Sequence, residues 1–197
     1  LNENDVGNPV RYFLYPKSSG NRINHVFHLA ILKKDTDIKF KEINNVFEFG
    51  GGYGCMANIF SKINKKVFFK LFDTIPVNLL QYYYLKQNRL DVGFKKNNKI
   101  QLLNNQNFKF NKKIKKKSLF IANWSLSETE LKFREKFIRY LRNYDYSLIA
   151  FQESFENINN LKYFNNIRKK FVNTYQFKII KKKYYNNNFF KKQNHYF

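Results

Sequence analysis

Nine consecutive residues, Val46-Phe47-Glu48-Phe49-Gly50-Gly51-Gly52-Tyr53-Gly54, hold the most specific chemistry in the chain. An apolar run leads into one carboxylate and then into glycines at alternate positions 50, 52 and 54. Glycine adopts positive φ at little cost and has no Cβ, so such a turn lets the main chain bend sharply and approach a ligand closely. Four of the seven glycines fall within residues 50–54, more than an ordinary tight turn requires. Met56, Ala57, Ile59, Phe60 and Ile63 then recur at helical spacing. The unit reads as strand, glycine turn and helix, the opening of a nucleotide-type cofactor pocket. Two common versions are excluded. A dinucleotide fingerprint wants glycine or alanine where Cys55 stands, and a P-loop wants Gly-Lys-Ser/Thr, which is absent. Roughly 20 residues further on, an apolar, β-favouring run over 66–72 ends in Asp73. An acid at that strand tip can accept hydrogen bonds from both hydroxyls of a ribose.

The remaining pattern, Glu-x-Gly-x-Gly-x-Gly over 48–54, resembles motif I of class I S-adenosylmethionine-dependent methyltransferases. The resemblance implies that Gly50, Gly52 and Gly54 pass beneath the methionine part of the cofactor and that Glu48 faces its ammonium side. A carboxylate suits that task because it lowers the free energy of a nearby cation. Three segments together narrow the likeness: 48–54, Asp73-Thr74-Ile75-Pro76 with the run 79–85, and Asn123-Trp124-Ser125-Leu126-Ser127-Glu128. Across most of its length the chain is similar to the sugar O-methyltransferases of bacterial polysaccharide clusters. Gly7-Asn8-Pro9 and His195-Tyr196-Phe197 resemble that group's flanking patterns. The resemblance implies methyl transfer from S-adenosylmethionine to a sugar hydroxyl.

A sulfonium already activates the methyl group, so the protein must align an oxygen behind it, and a base should take the hydroxyl proton as the new bond forms. His25 and His28 lie one helical turn apart and have a suitable intrinsic pKa. Glu128, beyond the fourth strand, is either a base or the acid of a capping box. Asn123 and Trp124 occupy that strand's tip as candidate substrate contacts; Trp124 forms either a wall for a sugar ring or part of the core. Metal-dependent O-methyltransferases usually carry Asp where this chain has Asn123, and no cluster of acids suited to a hard cation is visible, so metal-free transfer is expected.

The elements that must position these residues alternate along the chain. A helix is expected over 21–34, with a stripe of Ile23, Val26, Phe27, Ala30 and Ile31 that caps the pocket. Strands follow over 43–49, 67–72, 100–103, 118–123 and 146–152, with helices over 56–63, 77–88 and 159–171. Ser125 or Ser127 would cap a further helix with Phe133, Phe137, Tyr140, Leu141 and Tyr144 on its apolar side. Two last strands are expected over 175–181 and 194–197. This order predicts a doubly wound α/β fold, a mostly parallel seven-stranded sheet whose last strand is antiparallel. Residues 1–40 form an N-terminal helical cap and 41–197 the cofactor-binding domain.

With 197 residues and 43% apolar content the chain can bury one full core. No run of 18 apolar residues and no charged start before an apolar region are present, which argues against a membrane span or export. The single cysteine, Cys55, excludes an internal disulfide, fits a reducing cytoplasm and reads as a small buried hydrophobe beside the turn. The net charge of +23 has two readings. It reflects either the Lys- and Asn-rich bias of AT-rich coding or attraction to a polyanion, and the latter makes an RNA methyltransferase the alternative. The lack of an opening Met and the abrupt last apolar run suggest a fragment, for which a non-catalytic module of the same fold is the second alternative.

Overall fold

The computed structural model describes residues 2–110, 116–171, 180–183 and 193–196. Through them runs an eight-stranded sheet: β1 (Asn45–Phe49), β2 (Phe68–Phe72), β3 (Val92–Gly93), β4 (Ile100–Leu103), β5 (Ser118–Asn123), β6 (Tyr146–Phe151), β7 (Ile180–Lys183) and β8 (Gln193–Tyr196). Their spatial order is β7-β8-β6-β5-β1-β2-β4-β3. Strands β1 to β6 are mutually parallel, and β8 runs antiparallel to both β6 and β7. The strand beyond the expected seven is β3, whose two residues are too short to show a periodicity. Of the strand expected over 175–181, residues 175–179 lie outside the described residues.

Alternation along the strands builds two cores. Val46 joins Leu29, Met56, Phe60 and Leu85 on the face covered by α1 (Gly20–Asp35), α2 (Cys55–Ile63) and α3 (Ile75–Gln87). Phe47 and Phe49 point the other way, against α4 (Leu131–Leu141) and α5 (Asn160–Phe171). That second core is rich in aromatic rings, interleaved with aliphatic residues such as Leu126, Leu141 and Ile149. Phe47 stacks on Phe120 at 5.6 Å between ring centroids, and Phe49 meets Phe137 edge-on at 4.5 Å. Each such pair contributes about 0.5–1.5 kcal/mol beyond its area burial. No described helix is long and apolar enough to cross a membrane.

Helix ends follow local chemistry, with one departure from expectation. Ser19 caps α1 by accepting the Arg22 N–H, and Pro76 sits in the first turn of α3, where its missing N–H costs nothing. The capping box expected at Ser125 or Ser127 does not form. Leu126–Glu128 makes a single 3₁₀ turn, and α4 begins at Leu131. The cause is Arg134, whose fully buried guanidinium donates to Ser127 O and Thr129 O, each at 2.8 Å, and to Asn160 Oδ1 at 2.7 Å. These bonds hold 127–129 away from the helix. Before α1, Arg11–Tyr12 and Tyr15–Ser19 form an antiparallel hairpin that periodicity does not reveal.

Candidate functional site

Strands β1 and β2 pair in parallel with Phe49 opposite Phe72, so Glu48 and Asp73 stand at the same, carboxyl, edge of the sheet. Strand β5 flanks β1 on the other side, which makes this the switch point where α/β sheets open a ligand crevice. The turn itself is held by Gly50 N–H donating to Phe72 O and Gly54 N–H to Gly51 O. All three alternate glycines have positive φ: +67° at Gly50, +53° at Gly52 and +96° at Gly54. Their surroundings differ. A Cβ on Gly50 would lie 2.2 Å from Ser125 Cβ, and one on Gly54 would lie 3.1 Å from Leu85 Cδ1. A Cβ on Gly52 would meet nothing within 4 Å. Gly50 and Gly54 thus let the turn pack against its own protein, whereas Gly52 offers bare main chain to open space, where a ligand can lie.

Asp73 is half-buried and well held. Its Oδ1 accepts from Thr74 N–H at 2.9 Å and its Oδ2 from Gln81 Nε2 at 3.2 Å, and the nearby main chain of Gly51 and Gly52 favours its charged form. Burial still moves its pKa upward. Gln81 also donates to Gly52 O at 2.9 Å, accepts from Asn78 Nδ2 at 2.9 Å, and through Asn78 reaches Asn104 at the tip of β4. Asn78 and Gln81 are fully buried. This chain of amides runs from β4 through α3 to the turn and fixes Asp73 in place. The motif reading missed all three amides. The sequence shows only that Asn78 and Gln81 share one face of α3; the structure buries that face and leaves Leu79, Leu80 and Tyr83 exposed on another. The first half of α3 is amphipathic in reverse.

Glu48 is 1% exposed, and its Oε2 is buried with no hydrogen-bond partner. Burial first, and the negative charge of Asp73 second, push its pKa up to about 8. At neutral pH the carboxyl is therefore mostly protonated. A buried carboxyl oxygen left unpaired is costly, and a cationic group brought against it would both satisfy and ionise it.

At the tip of β5, the amide nitrogen Nδ2 of Asn123 lies 3.3 Å from Nδ1 of His25, and Asn123 Oδ1 is buried without a partner. Burial, with the Arg22 charge adding to it, lowers the His25 pKa to about 4, so the ring is neutral near pH 7. His28 lies one turn further along α1, 1% exposed and 6.3 Å from His25 between ring centroids; burial takes its pKa down to about 3. The fold thus brings His25 to Asn123, while His28 stands behind it in the interior. Trp124 packs against the core beneath α1 and α2 with φ +66°, a left-handed conformation that costs a non-glycine residue about 1–3 kcal/mol. Its N–H donates to Ala150 O at 2.7 Å. Glu128 is exposed and accepts from Gln152 Nε2 at 3.0 Å. Ser127 Oγ lies 2.8 Å from Gln152 Oε1, so Glu128 belongs to a surface network beside the crevice.

No protein-family model matches the sequence, and no curated protein matches it. Solved structures do resemble the fold. The methyltransferase domain of a bacterial CtHen1 superposes with a TM-score of 0.64 at 12% identity, covering 89% of this chain and 96% of that one. The magnesium protoporphyrin IX methyltransferase of Synechocystis PCC 6803, solved with bound SAM, gives 0.56 at 12% identity over 90% of this chain and 79% of its own. The N-terminal domain of human METTL16, in complex with SAH, gives 0.55 at 10% identity over 89% and 68%. The parallel six-stranded centre with helices on both faces is therefore the α/β fold of S-adenosylmethionine-dependent methyltransferases.

Proposed function

We propose that this protein is an S-adenosylmethionine-dependent methyltransferase acting on a hydroxyl oxygen. The observation that carries the reading is Gly52. Its main chain, at positive φ and facing open space, lies between two acids at one sheet edge, one of which keeps an unpaired buried oxygen. Glu48 would receive the ammonium group, Gly50 to Gly54 would underlie the methionine part and Asp73 would accept from the ribose hydroxyls. When bound, the cofactor supplies a methyl group already activated as a sulfonium.

The other task falls to His25. As placed, Asn123 Nδ2 faces Nδ1; a half-turn of the amide, which would also pair its partnerless buried Oδ1, would let Oδ1 accept from Nδ1–H and leave Nε2 a lone pair for the acceptor's proton. Nearby Asn123 and Trp124 would line the acceptor's approach, and Glu128 would bound its rim. The resemblance of 48–54, 73–85 and 123–128 to sugar O-methyltransferases supports a sugar hydroxyl as one acceptor to assay.

Calorimetry with S-adenosylmethionine tests the reading directly. Asp73→Ala should weaken binding by the worth of a charge-assisted hydrogen bond, about 1.5–3 kcal/mol, or roughly 10- to 150-fold in Kd. Wild-type affinity in that variant, or no binding by the wild type, overturns the proposal. Binding at pH 7 should also release a large part of one proton, because the ammonium ionises a Glu48 whose pKa stands near 8. Titrations in buffers of different ionisation enthalpy measure that release, and Glu48→Gln should abolish it.

A further inference from the structure

Beside the glycine turn lies a cavity of about 630 Å³, within the range of small-molecule sites. The N-terminal segment, the start of α1 and the outer face of α3 enclose it, and Tyr53 of the turn forms one wall. Val6, Val10, Tyr12, Tyr53, Leu80 and Tyr83 are among its apolar and aromatic lining residues. Leu80 and Tyr83 belong to the reversed face of α3, 51% and 56% exposed. Leucine and tyrosine turned outward beside a cavity, with buried amides on the opposite side of the same helix, leave apolar surface available for a ligand.

Glu3, Arg11, Ser19 and Tyr53 of the lining are already committed to one another or to nearby main chain, while the buried Tyr84 hydroxyl has no partner. Glu3 accepts from Ser19 N–H at 2.7 Å and from Tyr53 Oη at 3.3 Å. Asn21 donates to Tyr53 Oη at 3.0 Å, and Arg11 donates to Glu3 O and Asn4 O, each at 3.1 Å. What remains for a ligand is mainly hydrocarbon and ring faces. An unsubstituted hexose buried here would leave several hydroxyls unpaired, each at about 1–3 kcal/mol, whereas an aromatic ring would leave none. Asn21 at the cavity wall and His25 beside Asn123 are four residues apart on α1 and so share one helix face.

We infer that this cavity binds the body of the methyl acceptor and that the acceptor is an aryl compound, its phenolic hydroxyl directed along α1 towards His25. The inference rests on the methyl-transfer reading above and adds the substrate class to it. A phenol is a far stronger acid than a sugar hydroxyl, so a weakly basic imidazole gives up less free energy in taking its proton.

The test uses the full chain saturated with S-adenosylhomocysteine and titrated with 1-naphthol, with glucose as the polyhydroxylated comparison. Naphthol should bind, glucose should not, and Leu80→Asp should weaken naphthol binding at least about tenfold by charging an apolar wall. Tyr83→Ala should weaken it in the same direction. Both residues are exposed, so the variants should fold and keep wild-type affinity for S-adenosylmethionine. Normal cofactor binding with no naphthol binding, with equal naphthol binding in both variants, or with glucose bound more tightly, overturns the aryl assignment. Failure of the wild type to bind S-adenosylmethionine overturns the methyl-transfer reading, and the acceptor role of the cavity with it.

Discussion

Gly52→Val should leave the fold standing and raise the Kd for S-adenosylmethionine by at least about a hundredfold, close to 2.7 kcal/mol. At φ +53° a branched side chain strains the turn by about 1–2 kcal/mol, which a domain stabilised by about 5–15 kcal/mol tolerates. The larger loss is steric. With nothing within 4 Å of its Cβ, the isopropyl group would project into the space that the ligand needs. Gly50→Ala provides the contrast, because its methyl would sit 2.2 Å from Ser125 Cβ and must move the β5–α4 loop. That variant should lose thermal stability first and affinity only as a consequence. Thermal unfolding together with calorimetry separates the two, and equal behaviour of Gly50 and Gly52 variants would remove the distinction on which the cofactor placement stands.

The second large effect belongs to His25. His25→Ala should lower kcat by about 10²- to 10⁴-fold, the usual worth of a general base, with cofactor affinity little changed. The neutral ring is the active form, and burial holds the pKa near 4, so the acid limb of the wild-type rate should fall near pH 4 and not near the ordinary 6.5. Asn123→Asp should move that limb upward, because a carboxylate against Nδ1 favours the imidazolium. An unmoved limb, or full activity in His25→Ala, would transfer the role to another group. The same depressed pKa values bear on folding. Unfolded chains take up protons on both histidines below pH 6.5 while the folded protein resists until about 4 at His25 and about 3 at His28. Stability from this source is complete above pH 6.5 and is lost progressively as pH falls through that window.

Much of the frame was legible because its requirements are local. Only glycine meets positive φ three times in five residues without strain, so the turn could be read directly from residues 50–54. Runs such as 119–122 and 148–151 are apolar throughout, as parallel strands buried on both faces must be. The helix starting near 56 came from spacing alone and lies one residue from its observed start. The capping box was misread for an equally physical reason. A serine and a glutamate at suitable spacing carry no information about Arg134, which reaches back from the next helix and claims the carbonyls of that loop.

The sequence by itself determined the order of the longer strands and helices, the glycine turn and the two acids that flank it, since each depends on backbone preference and short-range period. Tertiary structure alone decided which glycine faces open space, which histidine reaches the β5 tip, that Asn78, Gln81 and Asn104 support Asp73, and that α3 turns Leu80 and Tyr83 outward beside a cavity. These outcomes depend on residues such as Ser125, Asn123 and Tyr53 that arrive from distant parts of the chain. Contact and desolvation between remote segments are many-body quantities that no local pattern encodes.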